Sequence, residues 1–169
     1  MSAPALSLTT ALPDPARVAL ILVAAGRGSR AGEGLPKQYR PLGGRPLLAR
    51  TLDAAAACPA GRIVVVIHPD DLALYEAAVA AASPEARGKL AAPVFGGATR
   101  QASVRAGVAA LAGTGTEIAL AHDAARPFFS PELAARVIEA AQRIGGAVPG
   151  LPVTDTIKEI VGAGRVLTT

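Results

Sequence analysis

The sequence contains little of what marks several classes of protein. Aromatic residues make up 3% of the 169 residues and tryptophan is absent, so Ala, Val, Leu and Ile must build the core. A single cysteine, Cys58, excludes an internal disulfide and a metal site of several cysteines. No apolar run approaches the ~18 residues of a membrane-spanning helix. The first 17 residues lack the regions of a secretory signal, so we expect a cytoplasmic protein without a membrane partner.

Runs of one charge are also missing, although the chain is basic overall. It has 17 Lys and Arg against 13 Asp and Glu, which gives a net charge of +4. Surfaces that bind single-stranded nucleic acid combine basic grooves with aromatic side chains for stacking. The sequence has neither, so we expect no nucleic-acid partner. Many of its positive charges lie in glycine-rich turns, which favours a small anionic ligand.

What the sequence does contain is a regular alternation of two patterns. Apolar runs at 18–23, 62–68, 92–97 and 117–127 alternate with helical patterns at 46–57, 69–82, 101–112 and 130–145. This alternation predicts an α/β sandwich with a mainly parallel sheet. We expect a disordered leader over residues 1–16 and one domain over 17–169, in which 146–161 is extended and 165–169 is a strand. Ligands of such sheets bind beyond the carboxyl ends of the strands, where the unusual residues of this chain occur.

The first of these strand ends leads into VAAGRGSRAGEGLPKQYRPLGG at 23–44. Residues 26–31 fit the dinucleotide fingerprint G-x-G-x-x-G/A, but Gly32, Gly34 and Pro36 would break the helix that this motif requires. A Walker P-loop is excluded because no G-K-S/T follows the glycines.

The same loop offers free backbone N–H groups and two cations, Arg30 and Lys37. Arginine can bind phosphate oxygens through two hydrogen bonds, and lysine acts as a mobile point charge. The pair is typical of chemistry at phosphorus. The alternative is a solvated surface loop with incidental charge.

A second glycine turn, Gly96-Gly97, precedes a helix that carries Arg100 and Ser103. The glycines would let backbone approach a flat group such as a nucleobase, and the Ser103 hydroxyl can donate or accept a hydrogen bond. The alternative is that both side chains are ordinary residues of a helix start.

The fourth strand ends in His122-Asp123-Ala124-Ala125-Arg126-Pro127. Asp123 needs a partner there, because burying a carboxylate alone is costly. That partner is Arg126 or a hard cation such as Mg²⁺, which proteins bind through one or two carboxylates plus substrate phosphates. For His122 we expect a hydrogen bond to backbone, and for His68 only a helix-start position.

Four segments, AAGRGSRAGEGLPKQY (24–39), GGATRQASV (96–104), HDAARP (122–127) and PVTDTIK (152–158), stand in a shared order. In order and spacing the chain resembles the 2-C-methyl-D-erythritol 4-phosphate cytidylyltransferases from about Val18 onward. The resemblance implies transfer of CMP from CTP to methylerythritol phosphate in isoprenoid biosynthesis. It also implies a Rossmann-like three-layer αβα sandwich of the nucleotide-diphospho-sugar transferase type.

The resemblance also assigns residues to roles. It implies catalytic residues Arg30 and Lys37 on the phosphates. The implied nucleotide-binding residues are Ala24, Ala25, Gly26, Gly28, Gly97 and Ser103. The implied contacts of the second substrate are Asp123, Ala124, Arg126 and Thr156. Asp123 would hold Mg²⁺.

The family further implies a homodimer, in which an extended arm near 150–165 is exchanged and brings Thr156 to the partner's site. Family members continue beyond this length, so a C-terminal part would be missing, and some carry a fused cyclodiphosphate synthase domain. Two other functions stay open: a cytidylyltransferase for another sugar alcohol phosphate, such as ribitol 5-phosphate, and a non-catalytic nucleotide-binding module.

Overall fold

A computed structural model describes residues 11–27, 34–156, 158–161 and 165–168 of the chain. Single 3₁₀ turns occur at Pro15–Arg17, Lys37–Tyr39 and Pro69–Asp71. The strands and helices follow in the order β1 (Val18–Ala24), β2 (Pro41–Leu42), β3 (Arg45–Pro46), α1 (Leu47–Ala56), β4 (Arg62–Ile67), α2 (Leu72–Ala80), α3 (Pro84–Lys89), β5 (Val94–Phe95), α4 (Arg100–Ala109), β6 (Ile118–Asp123), α5 (Pro131–Ile144), β7 (Glu159–Val161) and β8 (Arg165–Thr168).

Four parallel strands form the central sheet in the order β5-β4-β1-β6. Ile21 in β1 is opposite Val64 in β4 and Ala121 in β6. The chain first adds strands on one side of β1 and then crosses to its other side with β6. Such a reversal is a topological switch point, and it opens a crevice at the carboxyl ends of β1 and β6. The predicted α/β class and mainly parallel sheet are confirmed.

Helices cover both faces of this sheet and complete a three-layer sandwich. Leu20 and Leu22 of β1 pack with Leu48 and Leu52 of α1 in the larger core cluster, to which α2, α3 and α5 also contribute. Ile21 belongs to a smaller cluster on the opposite face, the face that α4 covers. Because both faces of β1 and β4 are buried, these strands are apolar throughout instead of alternating.

Several boundaries differ from the sequence prediction. The leader was predicted to be disordered through residue 16, but Asp14 Oδ1 accepts a hydrogen bond from Ala16 N and caps the turn Pro15–Arg17. The predicted helix 69–82 is a 3₁₀ turn followed by the shorter α2. The short helix α3 and the β2–β3 hairpin were not predicted. The leader's first ten residues lie outside the described part.

The predicted strand at 165–169 exists as β8, but it does not join the central sheet. It pairs antiparallel with β7 in a separate two-stranded ribbon. No helix in the described ranges is long and apolar enough to cross a membrane.

Candidate functional site

A cavity of about 890 Å³ opens at the carboxyl ends of the central strands. Its walls come from residues that follow β1, β4, β5 and β6 and from the 3₁₀ turn Lys37–Tyr39. These segments are far apart in sequence, and the switch point brings them together. A groove of about 1010 Å³ runs beside it, between β6 and α5. The smaller cavity is the better site candidate, because it holds the glycine turns and most of the predicted site residues.

Gln38 fixes the backbone where β1 leaves the sheet. Its side chain is buried, and Nε2 donates hydrogen bonds to Ala24 O at 2.5 Å and Gly26 O at 3.3 Å. Ala24 is the last residue of β1 and Gly26 lies beyond it, so Gln38 supplies a donor where the strand ends. Gln38 was not predicted as a site residue, and a single glutamine after a lysine carries no recognisable signal. It determines how Ala25 and Gly26 enter the cavity wall.

Lys37 is the neighbouring residue, and its surroundings are different. Its side chain is exposed at the cavity wall and makes no hydrogen bond or ion pair with the described residues. Since no side chain in the described part of the chain compensates its charge, Lys37 is available to an anionic ligand in the cavity. The predicted residues Gly28 and Arg30 lie outside the described part of the chain.

Arg27 is also cationic and lines the cavity, but its charge is already compensated. Its guanidinium lies 2.6 Å from Asp70 Oδ2 and 3.0 Å from Asp71 Oδ1, and it donates to His68 Nδ1 at 2.9 Å. His68 Nδ1 also accepts a hydrogen bond from Asp70 N, so His68 caps the turn Pro69–Asp71, as the sequence predicted.

The second glycine turn packs against both the first loop and α4. A Cβ at Gly96 would overlap the Ala25 methyl group and lie 2.7 Å from Ser103 Oγ. At Gly97 a Cβ would lie 2.6 Å from Ala102 Cβ. Each glycine therefore permits a close approach within the protein itself.

Ser103 is buried and holds this turn in place. Its Oγ donates to Thr99 O at 3.0 Å and accepts from Gly97 N at 3.2 Å. Thr99 caps α4, since its Oγ1 accepts from Ala102 N at 3.0 Å. The predicted contact of Ser103 with a base stays a prediction; the observed role is to position the turn.

Two arginines clamp the carboxylate of Asp123. Arg100 donates from Nε and Nη2 to Asp123 Oδ1, both at 3.1 Å, and Arg126 Nε lies 3.0 Å from Oδ2. All three side chains line the cavity. Arg126 is one of the two partners expected for Asp123. Arg100 supplies the other guanidinium in this clamp. The sequence alone did not decide whether Arg100 is a site residue or an ordinary residue of a helix start.

Other predicted residues lie away from the cavity surface. Ala24 and Ala124 are fully buried, so their side chains face the core while Ala25 and Ala125 line the cavity. The buried Thr51 donates to Ala124 O at 2.8 Å and fixes that turn. Thr156 is exposed in the extended segment and is not part of the cavity lining.

Three further titratable side chains have structural explanations. His122 Nε2 lies 2.8 Å from Arg126 O and the ring packs on Phe129, which agrees with the expected backbone hydrogen bond. Burial raises the pKa of the Cys58 thiol from 9.0 to about 11. Tyr39 is buried, and this burial together with Asp71 raises its pKa far above the ordinary value.

Within the described ranges, no group of three or more His, Cys, Asp or Glu side chains could hold a metal ion. The donor set at the cavity is one carboxylate, Asp123, which is 34% exposed. That set fits a hard cation such as Mg²⁺ only in the mode in which one carboxylate binds the ion together with substrate phosphates. Both oxygens of Asp123 also face guanidinium groups, so a cation would compete with exposed ion pairs, which are weak.

A parallel α/β sheet with a glycine-walled, cation-bearing cavity at its switch point defines a Rossmann-like nucleotide-binding fold. The chain belongs to the 2-C-methyl-D-erythritol 4-phosphate cytidylyltransferase family, whose model matches residues 18–169.

Individual relatives support the assignment to this family. The chain is 52% identical over 154 residues to the bifunctional enzyme IspD/IspF of Bradyrhizobium sp., covering 90% of this chain and 38% of that one. The Nitrobacter winogradskyi protein of the same name is 48% identical over 156 residues, again with 38% of its length covered. The chain thus spans well under half of these relatives.

Solved structures agree with the fold. The 4-diphosphocytidyl-2C-methyl-D-erythritol synthase of Anaerococcus prevotii is 28% identical with a TM-score of 0.70, over 90% of this chain and 64% of that one. The 2-C-methyl-D-erythritol 4-phosphate cytidylyltransferase of Thermus thermophilus is 39% identical with a TM-score of 0.55, over 88% and 62%.

Proposed function

We propose that the protein transfers CMP from CTP to 2-C-methyl-D-erythritol 4-phosphate in the cytoplasm and releases pyrophosphate. Family membership supports this reaction. The observation that carries it is the position of Lys37, a cation that pairs with none of the described residues and lies at the wall of a cavity lined by two glycine turns. A cation such as Lys37 would compensate the charge of a triphosphate, and glycine backbone would allow a nucleoside to pack closely against the cavity wall.

In this reaction a phosphate oxygen of the acceptor attacks the α-phosphorus of CTP. The new P–O bond forms as the bond from the α-phosphorus to the oxygen bridging the β-phosphorus breaks, and that oxygen leaves with pyrophosphate. The acceptor is a phosphate monoester and already anionic near pH 7. No general base is needed, which is consistent with a His122 that is engaged with backbone.

The protein's part is therefore positioning and charge stabilisation. Lys37, with Arg30, would stabilise the negative charge that develops on the α-phosphate. Gly97 and Ser103 would shape the wall at the base, with Ser103 acting through the turn that it holds. Arg126 would bind the phosphate of the acceptor when it leaves Asp123.

A divalent cation, Mg²⁺, belongs to this proposal as well. Asp123 would hold it, and the ion would neutralise phosphate charge. Release of Asp123 from the clamp also frees Arg100 and Arg126 to face the anionic substrates.

The homodimer and its exchanged arm near 150–165 are part of the proposal too. Leu151 and Val153 in this segment are 92% and 68% exposed, and Val148 just before it is 92% exposed, so the described residues leave their apolar surfaces uncovered. A second copy would cover them and would bring Thr156 to the neighbouring site. Sedimentation equilibrium of the protein at several concentrations tests this arrangement.

The test of the reaction is calorimetry with CTP, followed by a pyrophosphate-release assay with methylerythritol phosphate and Mg²⁺. Lys37→Ala should lower kcat/KM by about 100-fold, the usual cost of removing one preorganised charge-stabilising group. Arg105→Ala removes an exposed cation of α4 outside the cavity lining and should leave turnover unchanged. Full turnover by Lys37→Ala would refute the assignment of that residue.

The same assay separates the other candidate functions. Faster turnover with ribitol 5-phosphate than with methylerythritol phosphate would indicate a cytidylyltransferase of different specificity. CTP binding without any pyrophosphate release would indicate a nucleotide-binding module.

A further inference from the structure

We propose that Arg27 is a positioning residue that anchors the glycine-rich loop to the segment after β4, and not a ligand of the CTP phosphates. The expected effect on CTP binding rests on the proposed function, whereas the anchoring contacts of Arg27 do not. Arg27 stands between the glycines of the motif AAGRG, where a basic residue would ordinarily be assigned to the phosphates. Arg27 forms a cluster with His68, Asp70 and Asp71, which we call the Arg27 cluster.

The geometry of the Arg27 cluster uses both terminal nitrogens of the guanidinium. Nη1 donates to Asp71 Oδ1 at 3.0 Å, while Nη2 donates to Asp70 Oδ2 at 2.6 Å and to His68 Nδ1 at 2.9 Å. One terminal nitrogen faces each carboxylate. A lysine could not make these contacts together, because it carries a single point charge.

The charges of the cluster argue against a phosphate ligand. Two carboxylates face one guanidinium, so the local balance is negative before any ligand binds. A triphosphate that approached Arg27 would meet Asp70, whose side chain is 71% exposed. Lys37, on the same cavity wall, has no acidic neighbour among its described contacts.

Burial makes the contact with Asp71 strong. The Asp71 side chain is 1% exposed, and Arg27 is its charged partner across the described residues. Its second oxygen, Oδ2, has no hydrogen-bond partner in the described part, and neither has the hydroxyl of Tyr39. Removing Arg27 would leave a buried carboxylate uncompensated, which is strongly unfavourable. Arg27 therefore stays with Asp71 in preference to a ligand.

The anchor acts together with Gln38. Gln38 holds Gly26 O, and the Arg27 cluster holds the next residue from the side of β4. The backbone at Gly26 and Arg27 is thereby fixed from two directions before CTP binds. Preorganisation of this kind lowers the ordering cost of binding.

The experiment compares Arg27→Ala and Asp71→Asn, singly and together, with Arg17→Ala as the matched control. Arg17 forms an exposed ion pair with Glu117 at the opposite end of β1. The readouts are the Kd of CTP by calorimetry, the split between kcat and KM, and hydrogen exchange of the amides of residues 24–27 without ligand.

Each single variant should weaken CTP binding and raise its KM by about three- to tenfold, the cost of ordering one or two side chains, with kcat nearly unchanged. Exchange at 24–27 should speed up in both, and the double variant should be no worse than either single one, because the two residues act as one unit. Arg17→Ala should change none of these. Should Asp71→Asn fail to fold, the exposed Asp70→Asn is expected to act in the same direction.

The opposite result has a distinct signature. If Arg27 were a phosphate ligand restrained by its acids, Asp71→Asn or Asp70→Asn would release it and tighten CTP binding, which would overturn the proposal. Unchanged exchange at 24–27 would overturn it as well, as would additive effects in the double variant. If the unaltered protein binds no CTP, the proposed function fails, while hydrogen exchange still decides whether Arg27 is an anchor.

Discussion

Gly107 sets the distance between α4 and the sheet. We expect a substitution at Gly107 to lower the stability of the protein and to disturb the site that α4 helps to form. A Cβ on Gly107 would lie 2.6 Å from Ile21 Cγ2 and 3.0 Å from Val66 Cγ2. Carbon atoms prefer about 3.5–4.0 Å, so the methyl group of Gly107→Ala would be about 1 Å too close to the first of them. Both neighbours belong to the rigid central strands, so the helix has to move.

Gly88 provides a matched control because it is also a glycine within a helix. A Cβ there would meet nothing within 4 Å. Alanine is better than glycine in a helix by about 1 kcal/mol, so Gly88→Ala should stabilise the fold by up to that amount. Gly107→Ala gains the same propensity but pays about 1–3 kcal/mol for overpacking, which leaves a net loss of about 0–2 kcal/mol. The two variants should differ in stability by about 1–3 kcal/mol.

Urea unfolding followed by circular dichroism measures both free energies of unfolding under one set of conditions. Because α4 carries Ser103 and Arg100 to the cavity, Gly107→Ala should also weaken CTP binding, while Gly88→Ala should not. Equal stabilisation by the two substitutions would refute the reasoning, since it would mean that α4 is not packed against Ile21 and Val66 as closely as described.

Three further outcomes follow from the site. Burial raises the pKa of Cys58 to about 11, so at pH 8 the native protein should react with thiol reagents far more slowly than the unfolded protein. The contribution of Cys58 to stability should be lost as pH rises from about 9 to 11. Equal reaction rates of native and unfolded protein would contradict this prediction. Ser103→Ala removes the hydrogen-bond acceptor of Gly97 N and should lower the free energy of unfolding, measured by thermal unfolding, by about 1–2 kcal/mol. No loss of stability would mean that the turn does not depend on Ser103. Arg100→Gln should leave Asp123 with Arg126 alone and, because one competing cation is removed, lower the Mg²⁺ concentration at half-maximal activity. The change should stay below about threefold, because exposed ion pairs contribute little; a tenfold rise would show that Arg100 contacts a substrate.

The parts of the fold that the sequence predicted well have strong local causes. β1 and β4 are buried on both faces, so they appear as continuous apolar runs. α5 starts at a serine cap, since Ser130 Oγ accepts from Leu133 N at 3.2 Å, and it ends at Gly145 with φ +85°. These signals lie within a few residues of the element that they define, and a sequence displays them directly.

The missed elements had weaker or misleading signals. Gly43-Gly44, with φ +56° and +77°, forms the two-residue turn of the β2–β3 hairpin, but its strands are two residues each and cannot be distinguished from loop. α3 has a serine cap at Ser83, yet it is six residues long and contains a glycine. Contacts with α1 help to stabilise so short a helix.

The candidate site also has features that the sequence predicted and features that it could not predict. The sequence located Lys37, Gly97 and Asp123 at strand ends, and the structure places all three on one cavity. It could not identify the partners of Arg27, because Asp70 and Asp71 are 43 and 44 residues away along the chain. Contacts across such separations depend on the packing of β1 beside β4, which no local pattern encodes.

Most of the described positive charges near the first loop already have partners within the protein, so composition alone overestimates the number of cations available to an anionic ligand. Arg45 donates to Ala81 O and pairs with Asp53, and Arg50 donates to Leu42 O and Gly43 O, so both are engaged within the protein. Arg40 donates to Leu35 O, and Arg27 is compensated by its acids. In the described part of 27–50, Lys37 alone has a cationic group that contacts no other described residue. Among these described cations, we therefore expect anion binding to depend on Lys37 far more than on Arg27, Arg40, Arg45 and Arg50. Lys37→Ala is for this reason a sharper test of anion binding than Arg27→Ala.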